Sequence, residues 1–421
     1  MNVILIPVGS AGDVHPLVGI GGALRARGHR VTVFTNAYFQ GLIEQAGLEF
    51  LSLGTVDEYL EITEDPDLWH PRRGFEVVAR ASLRLLSTVY EAIRERYVPD
   101  ETVVVAAGLA FGARIAQEKL GVPLATVHLQ PVCLRSMYET SIYSGLPLPN
   151  RSPRFVKRAV FRLVDFVADR ALAGGVNRFR AEVGLPPVRR IFFDWWNSPD
   201  RVIGLFPDWY AAPQPDWPPN TVLTGFPLYD ERGVVDVPEE LGRFLDAGDP
   251  PIAFTPGSAM QHGGAFFEAS VEACQRLGRR GVLLTRFRDQ LPPNLPETVR
   301  HFDYVPFSAL LPRAAALVHH GGIGTLSQGF AAGVPQLIMP MSHDQPDNAA
   351  RARRLGVGGS LWPSAYRGPA VARELSRLLE SREVQACCRE LAGRLAVAHP
   401  LDSVCDVIEA LSAAIPTGGG A

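Results

Sequence analysis

A glycine turn after a short apolar strand is the strongest chemical signal in the sequence. His319-His320-Gly321-Gly322-Ile323-Gly324-Thr325 precedes a helical pattern that ends at Ala331. Glycines let the backbone approach a ligand closely, and the free N–H groups at a helix start suit an anion such as phosphate. The His320 ring and the Thr325 hydroxyl can add hydrogen bonds. The alternative is a structural turn with a packed histidine; adjacent histidines do not have zinc-ligand spacing.

A second polar cluster follows the apolar segment 334–339. Asp344 and Gln345 stand side by side there, eighteen and more residues beyond the glycine turn. A carboxylate accepts hydrogen bonds from hydroxyl groups, and an amide both donates and accepts, so the pair can bind a polyol. The alternative is a helix N-cap, with Ser342 or Asp344 as the capping residue.

Two candidates for a general base lie near the start of the chain. Residues 3–8 form an apolar strand, Gly9–Asp13 is predicted as a tight turn, and residues 16–27 show helical spacing. Asp13 closes the turn and has an ordinary pKa of about 3.9, which predicts an ionised carboxylate. His15 has the ordinary pKa better matched to proton transfer near neutral pH. Asp13 as a helix cap and His15 as a structural residue are the alternatives.

Apolar strands alternating with helices position these residues. This rhythm predicts parallel sheets covered on both faces, and ligands then bind at the carboxyl ends of the strands. The alternation of strands and helices is interrupted by a helical, aromatic stretch over 136–200 and by a Pro-rich segment, and it resumes after them. We therefore predict an N-terminal α/β domain over 1–212, a linker with an entry strand over 213–235, a second α/β domain over 236–395, and a C-terminal helix and tail over 396–421 that packs back on the first domain.

Composition excludes several classes of protein. Of 421 residues, 47% are hydrophobic and 20% charged, as in ordinary globular proteins, and the net charge of −3 offers no basic field for nucleic acid. No apolar run reaches the length of a membrane span. The first residues lack the basic region of a signal peptide, and the five cysteines show no CxxC spacing. These features predict a cytoplasmic protein without a structural metal site.

Residues 303–348, DYVPFSALLPRAAALVHHGGIGTLSQGFAAGVPQLIMPMSHDQPDN, resemble the nucleotide-sugar signature of glycosyltransferase family 1. The start, GSAGDVHPLVGIGGALRARGHRVT, resembles the acceptor-domain start in the branch of sterol and antibiotic glycosyltransferases. Segments 65–71, 112–123, 198–218 and 224–230 resemble rhamnosyltransferases that make rhamnolipids. The resemblance covers nearly the whole chain.

This resemblance implies an α/β fold of the GT-B type, in which two Rossmann-like domains face each other across a cleft. It also implies inverting, metal-independent transfer of a hexose from a UDP- or dTDP-sugar, with no cofactor. It places Asp13 at the position of the base, with His15 left open. The implied donor-binding residues are Ser258, Tyr304, Val305, His320, Gly322, Gly324, Thr325, Asp344 and Gln345. Tyr304 stands where many relatives have a base-stacking Trp, so uracil and thymine both remain open.

The acceptor is less defined. Aromatic residues in the irregular parts of the first half suit an apolar acceptor with a hydroxyl group, and His128, Trp69, Tyr138 and Trp195 are the candidates. A dTDP-rhamnose-dependent enzyme acting on a hydroxy-fatty-acid lipid is one alternative function, and a non-catalytic sugar-nucleotide-binding protein is another. A nicotinamide oxidoreductase is disfavoured because the first turn lacks GxGxxG and the second strand ends without an acid. The sequence leaves the oligomeric state open.

Basic residues recur at helical spacing over residues 151–164. Arg151, Arg154, Lys157, Arg158 and Arg162 are predicted to form one face, with Phe155, Val156, Val160, Phe161 and Val164 on an apolar side. A basic amphipathic helix can lie on an anionic membrane surface. One hypothesis is therefore that this segment makes peripheral contact with the inner membrane surface. The alternative is a basic face that is only solvated.

Overall fold

A computed structural model describes residues 1–146 and 148–413 of the chain. Its first half contains a sheet of seven parallel strands, and its second half a sheet of six. The first sheet consists of β1 (Asn2–Ile6), β2 (Arg30–Thr35), β3 (Glu49–Ser52), β4 (Thr102–Ala107), β5 (Leu124–His128), β6 (Arg201–Gly204) and β7 (Thr221–Leu223). The second consists of β8 (Ile252–Thr255), β9 (Gly281–Leu284), β10 (Val299–Phe302), β11 (Ala316–His319), β12 (Gln336–Ile338) and β13 (Gly358–Ser360).

Both sheets are doubly wound, and this confirms the predicted α/β architecture. The strand order is β3-β2-β1-β4-β5-β6-β7 in the first sheet and β10-β9-β8-β11-β12-β13 in the second. The central strands are continuous apolar runs because helices cover both of their faces. In β4, for example, residues 102–106 are all buried. The order reverses beside β1 and beside β8, which creates a crevice at the carboxyl ends of the strands in each half.

Helices connect the strands and pack on the sheets. The first half contains α1 (Ala11–Ala26), α2 (Gln40–Gln45), α3 (Val56–Glu64), α4 (Gly74–Arg84), α5 (Leu86–Arg96), α6 (Phe111–Leu120) and α7 (Arg154–Glu182). The second half contains α8 (Glu239–Asp246), α9 (Gly264–Leu277), α10 (Phe307–Leu310), α11 (Ile323–Ala332), α12 (Gln345–Arg354), α13 (Gly368–Glu380), α14 (Arg382–Ala396) and α15 (Pro400–Ala413). No helix among the described residues is long and apolar enough to cross a membrane.

The first helix starts earlier than its hydrophobic spacing predicts. The predicted turn over Gly9–Asp13 is wrong in its second part, because α1 already begins at Ala11. The Asp13 carboxylate accepts hydrogen bonds from the Ser10 backbone N–H (2.8 Å) and hydroxyl (3.2 Å) and thereby caps the helix. Capping of this kind stabilises a helix start by about 1 kcal/mol. Asp13 therefore lies in the first helical turn rather than at the end of a loop.

Two connections join the halves. The Pro-rich segment contributes β7 to the edge of the first sheet before the chain enters the second half. Near the end of the chain, α15 returns to the first half and packs on α1. There the Arg27 guanidinium pairs with Asp402 (3.1 Å), Asp406 (2.6 Å) and Glu409 (3.1 Å).

Candidate active site

A single cavity of about 1380 Å³ lies between the carboxyl ends of the two sheets. It collects most of the residues singled out by the sequence, although they are distributed over both halves of the chain. Those that line it are Asp13, His15, Trp69, His128, Ser258, Tyr304, Val305, His320, Gly322, Gly324, Thr325, Asp344 and Gln345. Tyr138 and Trp195 do not line the cavity.

The glycine turn after β11 holds His320 against backbone at the start of α11. A Cβ atom on Gly322 would stand 2.5 Å from His320 Nε2, and one on Gly257 would stand 2.8 Å from the ring. Only glycine fits at these two positions. Burial lowers the pKa of His320 to about 4, so the ring is neutral and one of its two nitrogens can donate a hydrogen bond. Its Nδ1 is buried and has no partner among the described residues.

The first turn of α11 adds the rest of a cradle for an anion. Gly322 is the N-cap residue, and the helix that follows has ten residues. Its unpaired N–H groups and the positive end of its dipole attract a phosphate group. A Cβ on Gly324 would lie 3.6 Å from the Gly12 backbone. The starts of α11 and α1 therefore face each other closely across the cavity.

Asp344 and Gln345 stand at the start of α12. The Asn348 amide donates to Asp344 Oδ2 (2.6 Å), whereas Gln345 Oε1 accepts from the backbone N–H groups of Met341 (2.8 Å) and Ser342 (3.2 Å). Gln345 thus holds the loop with its oxygen, and its amide nitrogen is the group left for a ligand. Burial, and next the charge of Asp13, raise the pKa of Asp344 to about 7.

Asp13 is a half-buried carboxylate whose charge acts on Asp344. Burial raises its pKa to about 6, against the lowering effect of its two bonds to Ser10. The expectation of an ordinary pKa near 3.9 is therefore wrong, because it took no account of burial. Both bonds go to Oδ2, so Oδ1 is the oxygen left for a substrate. Gly9, at a φ of +136°, makes room for this carboxylate, which a Cβ there would meet at 2.2 Å.

His15 has a partner that the sequence did not indicate. Its Nε2 lies 2.8 Å from Glu231 Oε1, and Glu231 has a left-handed backbone with a φ of +61°. Burial alone would raise the pKa of Glu231, but His15, Tyr304 and Arg286 together lower it. The pair links α1 to the segment that enters the second half. His15 is thus held toward this segment, whereas Asp13 is held at the start of α1 by Ser10.

The other residues that the resemblance assigned to the donor lie around the same segment. Ser258 follows β8 and lines the cavity. The Tyr304 hydroxyl donates to the Asp230 carbonyl (2.9 Å), and the Arg286 guanidinium lies 5.6 Å from the centre of the Tyr304 ring. Val305 is almost fully buried in the core beneath. The Tyr304 ring is therefore fixed at the wall of the cavity.

The part of the cavity farther from α11 has apolar walls. They come from α4, α7 and the turn over 191–195, and they include Phe75, Val78, Ala81, Leu163, Val167, Phe192, Phe193 and Trp196. His128 also lines this region; its Nε2 is 2.8 Å from the Asn197 amide oxygen, and burial lowers its pKa to about 4. Neutral His128 and apolar walls suit an acceptor with little charge.

Two of the acceptor residues named from the sequence are placed elsewhere. Tyr138 is 43% exposed. The Arg154 guanidinium lies over it, 4.1 Å from the centre of the Tyr138 ring. The Trp195 indole N–H donates to Glu118 (2.8 Å) outside the cavity. Its neighbour Trp196 lines the cavity instead, and Phe193 just before this pair has a left-handed backbone with a φ of +79°.

Trp69, an acceptor candidate from the sequence, lines the cavity beside two histidines of the second half. Its ring centre lies 5.8 Å from that of His343 and 6.5 Å from that of His320. The Leu68 carbonyl beside it is 2.8 Å from His343 Nε2. A short 3-10 turn of the first half, Pro66–Trp69, thus contacts the cradle of the second half. Among the described residues there is no group of three His, Cys, Asp or Glu side chains arranged to hold a metal ion.

Comparisons with known proteins identify the family. Residues 3–139 match the glycosyltransferase family 28 N-terminal domain, and residues 282–411 match the C-terminal domain of erythromycin biosynthesis protein CIII-like proteins. The chain is 31% identical to the O-mycaminosyltylonolide 6-deoxyallosyltransferase of Streptomyces fradiae, with 97% of each chain covered.

Solved structures show the same fold. The glycotransferase of kitacinnamycin superposes with a TM-score of 0.73 at 23% identity, covering 97% of this chain and 98% of that one. The spinosyn rhamnosyltransferase SpnG complexed with thymidine diphosphate gives a TM-score of 0.67 at 19% identity, covering 97% and 100%. The oxidoreductase hypothesis is excluded, and the chain belongs to the nucleotide-sugar-dependent glycosyltransferases of family 1 with the GT-B fold.

Proposed function

We propose that this glycosyltransferase moves a hexose from a dTDP- or UDP-sugar to a hydroxyl group of an apolar acceptor, with inversion and without a metal ion. The observation that carries the proposal is the position of Asp13. This carboxylate lines the same cavity as the anion cradle at α11 and the apolar walls from α4 and α7, and the start of its helix approaches the start of α11 closely. The bound thymidine diphosphate in the relative SpnG supports a dTDP-sugar as the first donor to test.

The donor is held by the second half. Its diphosphate lies at the start of α11, where His320, the Thr325 hydroxyl and the backbone of Gly322 and Gly324 donate hydrogen bonds. Ser258 contacts the phosphate nearer the nucleoside, and Tyr304-Val305 holds the base. Asp344 accepts hydrogen bonds from sugar hydroxyls, and the Gln345 amide donates to them. The acceptor occupies the apolar part of the cavity.

Asp13 then acts as the general base. Its Oδ1 takes the proton of the acceptor hydroxyl. At the same time the acceptor oxygen bonds to the anomeric carbon from the face opposite the diphosphate. The bond between the anomeric carbon and the phosphate oxygen breaks, and the configuration inverts. A pKa near 6 makes the carboxylate a stronger base than an ordinary aspartate and still leaves it ionised near neutral pH.

The departing diphosphate receives the negative charge. Preorganised donors aimed at a developing charge are worth about 3–4 kcal/mol each in a water-excluded site. Neutral His320 and the N–H groups of α11 provide such donors from fixed positions. We propose that this cradle replaces the divalent cation that other transferases use.

A donor screen tests the proposal. Wild type and Asp13→Asn are incubated with dTDP-rhamnose, dTDP-glucose or UDP-glucose and a panel of acceptors, including macrolactones and hydroxy fatty acids. Release of nucleoside diphosphate and the anomeric configuration of the product are measured. We expect turnover by wild type with one donor and an inverted product. Retained configuration contradicts the mechanism, and nucleotide binding without product from any donor favours a non-catalytic sugar-nucleotide-binding protein.

The rhamnolipid alternative has its own outcome in this screen. Turnover confined to dTDP-rhamnose and hydroxy fatty acids would assign the enzyme to lipid rhamnosylation. Turnover with macrolactones and not with fatty acids would reject that assignment while leaving the inverting mechanism in place.

A further inference from the structure

The exposed side of α7 carries large apolar side chains in water. Phe155 is 74% exposed, Phe166 65% and Leu163 63%, and no other Phe or Leu among the described residues is exposed to this degree. Val167 follows one position later at 55%. These residues recur at helical spacing and therefore lie along one side of the helix. Contiguous exposed apolar surface of this kind marks an interaction site.

Arginines surround these apolar side chains. Arg158, Arg162 and Arg170 are exposed on the same helix, and in the described part of the chain none of them pairs with a carboxylate within 4 Å. The acids of this helix segment are engaged with other partners: Asp165 pairs with Arg135 (2.5 Å), and Asp169 accepts from the Arg190 backbone N–H (2.7 Å). We call the side formed by Phe155, Arg158, Arg162, Leu163, Phe166, Val167 and Arg170 the basic–apolar face.

This face differs from the one that the sequence pattern predicts. Lys157 is buried, and its ammonium group donates to the Met137 carbonyl (3.0 Å) and the Asn150 amide oxygen (3.1 Å). Phe161 is buried as well. Lys157 was predicted on the basic face but is buried, and Phe155 was predicted on the apolar side but is exposed among the arginines. The face also extends beyond residue 164, to Arg170.

The basic–apolar face adjoins the apolar part of the cavity. Leu163 and Val167 belong to both, and Val164 and Ala168 line the cavity from the next positions around α7. On the opposite side of this wall, α4 contributes Val78 and Ala81. The exposed apolar side chains of the face are therefore continuous with the apolar lining of the cavity.

We propose that the basic–apolar face docks on an anionic phospholipid bilayer. Phenylalanines and leucine enter the boundary of the acyl chains, and the arginines contact lipid phosphates, which is how interfacial helices bind. A second copy of the chain fits less well, because a symmetric contact would set the same unpaired arginines against each other. Entry of an apolar acceptor from the bilayer through the α4–α7 side is the consequence that rests on the proposed function; docking itself does not.

Vesicle flotation of the full chain tests the docking. Vesicles of phosphatidylcholine with an equal part of phosphatidylglycerol are compared with vesicles of phosphatidylcholine alone. Arg158→Gln with Arg162→Gln should lower the partition coefficient about five-fold for each arginine. Phe155→Ser with Phe166→Ser should lower it about ten-fold for each side chain that enters the interface. Val397→Ser and Arg243→Gln, exposed elsewhere, are the matched controls and should not change it.

Each outcome decides the proposal. Binding to the anionic vesicles that weakens in both α7 variants and falls with added salt supports docking. Absence of binding by wild type, or equal binding by all variants, overturns it. A dimer in vesicle-free buffer that dissociates in the Phe155→Ser, Phe166→Ser variant also overturns it, since a second copy then covers the face. Turnover of a water-dispersed acceptor should be unchanged in the α7 variants, which separates this test from that of the transferase reaction.

Discussion

Replacing Asp344 by Asn should make the protein more stable above neutral pH. Raising the pKa from 3.8 to about 7 means that ionising Asp344 costs about 4 kcal/mol more in the fold than in the unfolded chain. Because the folded pKa lies above the unfolded one, this contribution to stability is complete below about pH 4 and is lost as the pH rises to about 7. An amide does not ionise and can still accept the hydrogen bond from Asn348.

The assay is thermal unfolding of wild type and Asp344→Asn at about pH 8 and about pH 4. We expect a higher Tm for the variant at the higher pH, from a gain of up to about 4 kcal/mol, and little difference at the lower pH. Asp236→Asn, at an exposed position, is the control. The gain should shrink in an Asp13→Asn background, since the charge of Asp13 contributes to the raised pKa. A variant that is destabilised equally at both pH values would refute the reasoning.

The other two expectations concern the donor. His320→Ala should weaken dTDP binding about ten- to a hundred-fold, because a hydrogen bond to a charged phosphate is worth about 1.5–3 kcal/mol; calorimetry on a variant with unchanged circular dichroism measures this, and equal affinity would show that His320 does not contact the diphosphate. Activity should survive EDTA, because His320 and the start of α11 stabilise the leaving group; turnover that is lost in EDTA and restored by Mg²⁺ or Mn²⁺ would contradict that.

The strand, glycine turn and helix that carry His320 could be predicted because their residues are close together in the chain. Strand, glycine turn and helix follow one another over 316–332, and each has a local signal: an apolar run, glycines, and helical spacing. Where local sequence signals agree with the global fold, the sequence alone predicts the local structure.

What the sequence did not predict depends on long-range contacts or burial. Glu231 meets His15 across 216 positions, and nothing local distinguishes it from other exposed-looking acids in the linker. The exchange of Trp195 for Trp196 as a cavity residue depends on the left-handed backbone of Phe193, a conformation that Phe rarely adopts. The raised pKa of Asp13 reflects burial in the folded chain, which no local pattern contains.

Turnover of Asp13→Asn, His15→Ala and the double variant, with donor affinity measured in parallel, tests the central claim most directly. If Asp13 is the base, Asp13→Asn should lose about 10²–10⁴-fold in kcat and keep its donor affinity, and wild-type kcat/KM should fall as the pH drops below about 6, where Asp13 is protonated. His15→Ala should lose less, because His15 is held by Glu231. Turnover abolished by His15→Ala and largely retained by Asp13→Asn would make His15 the base and contradict the account.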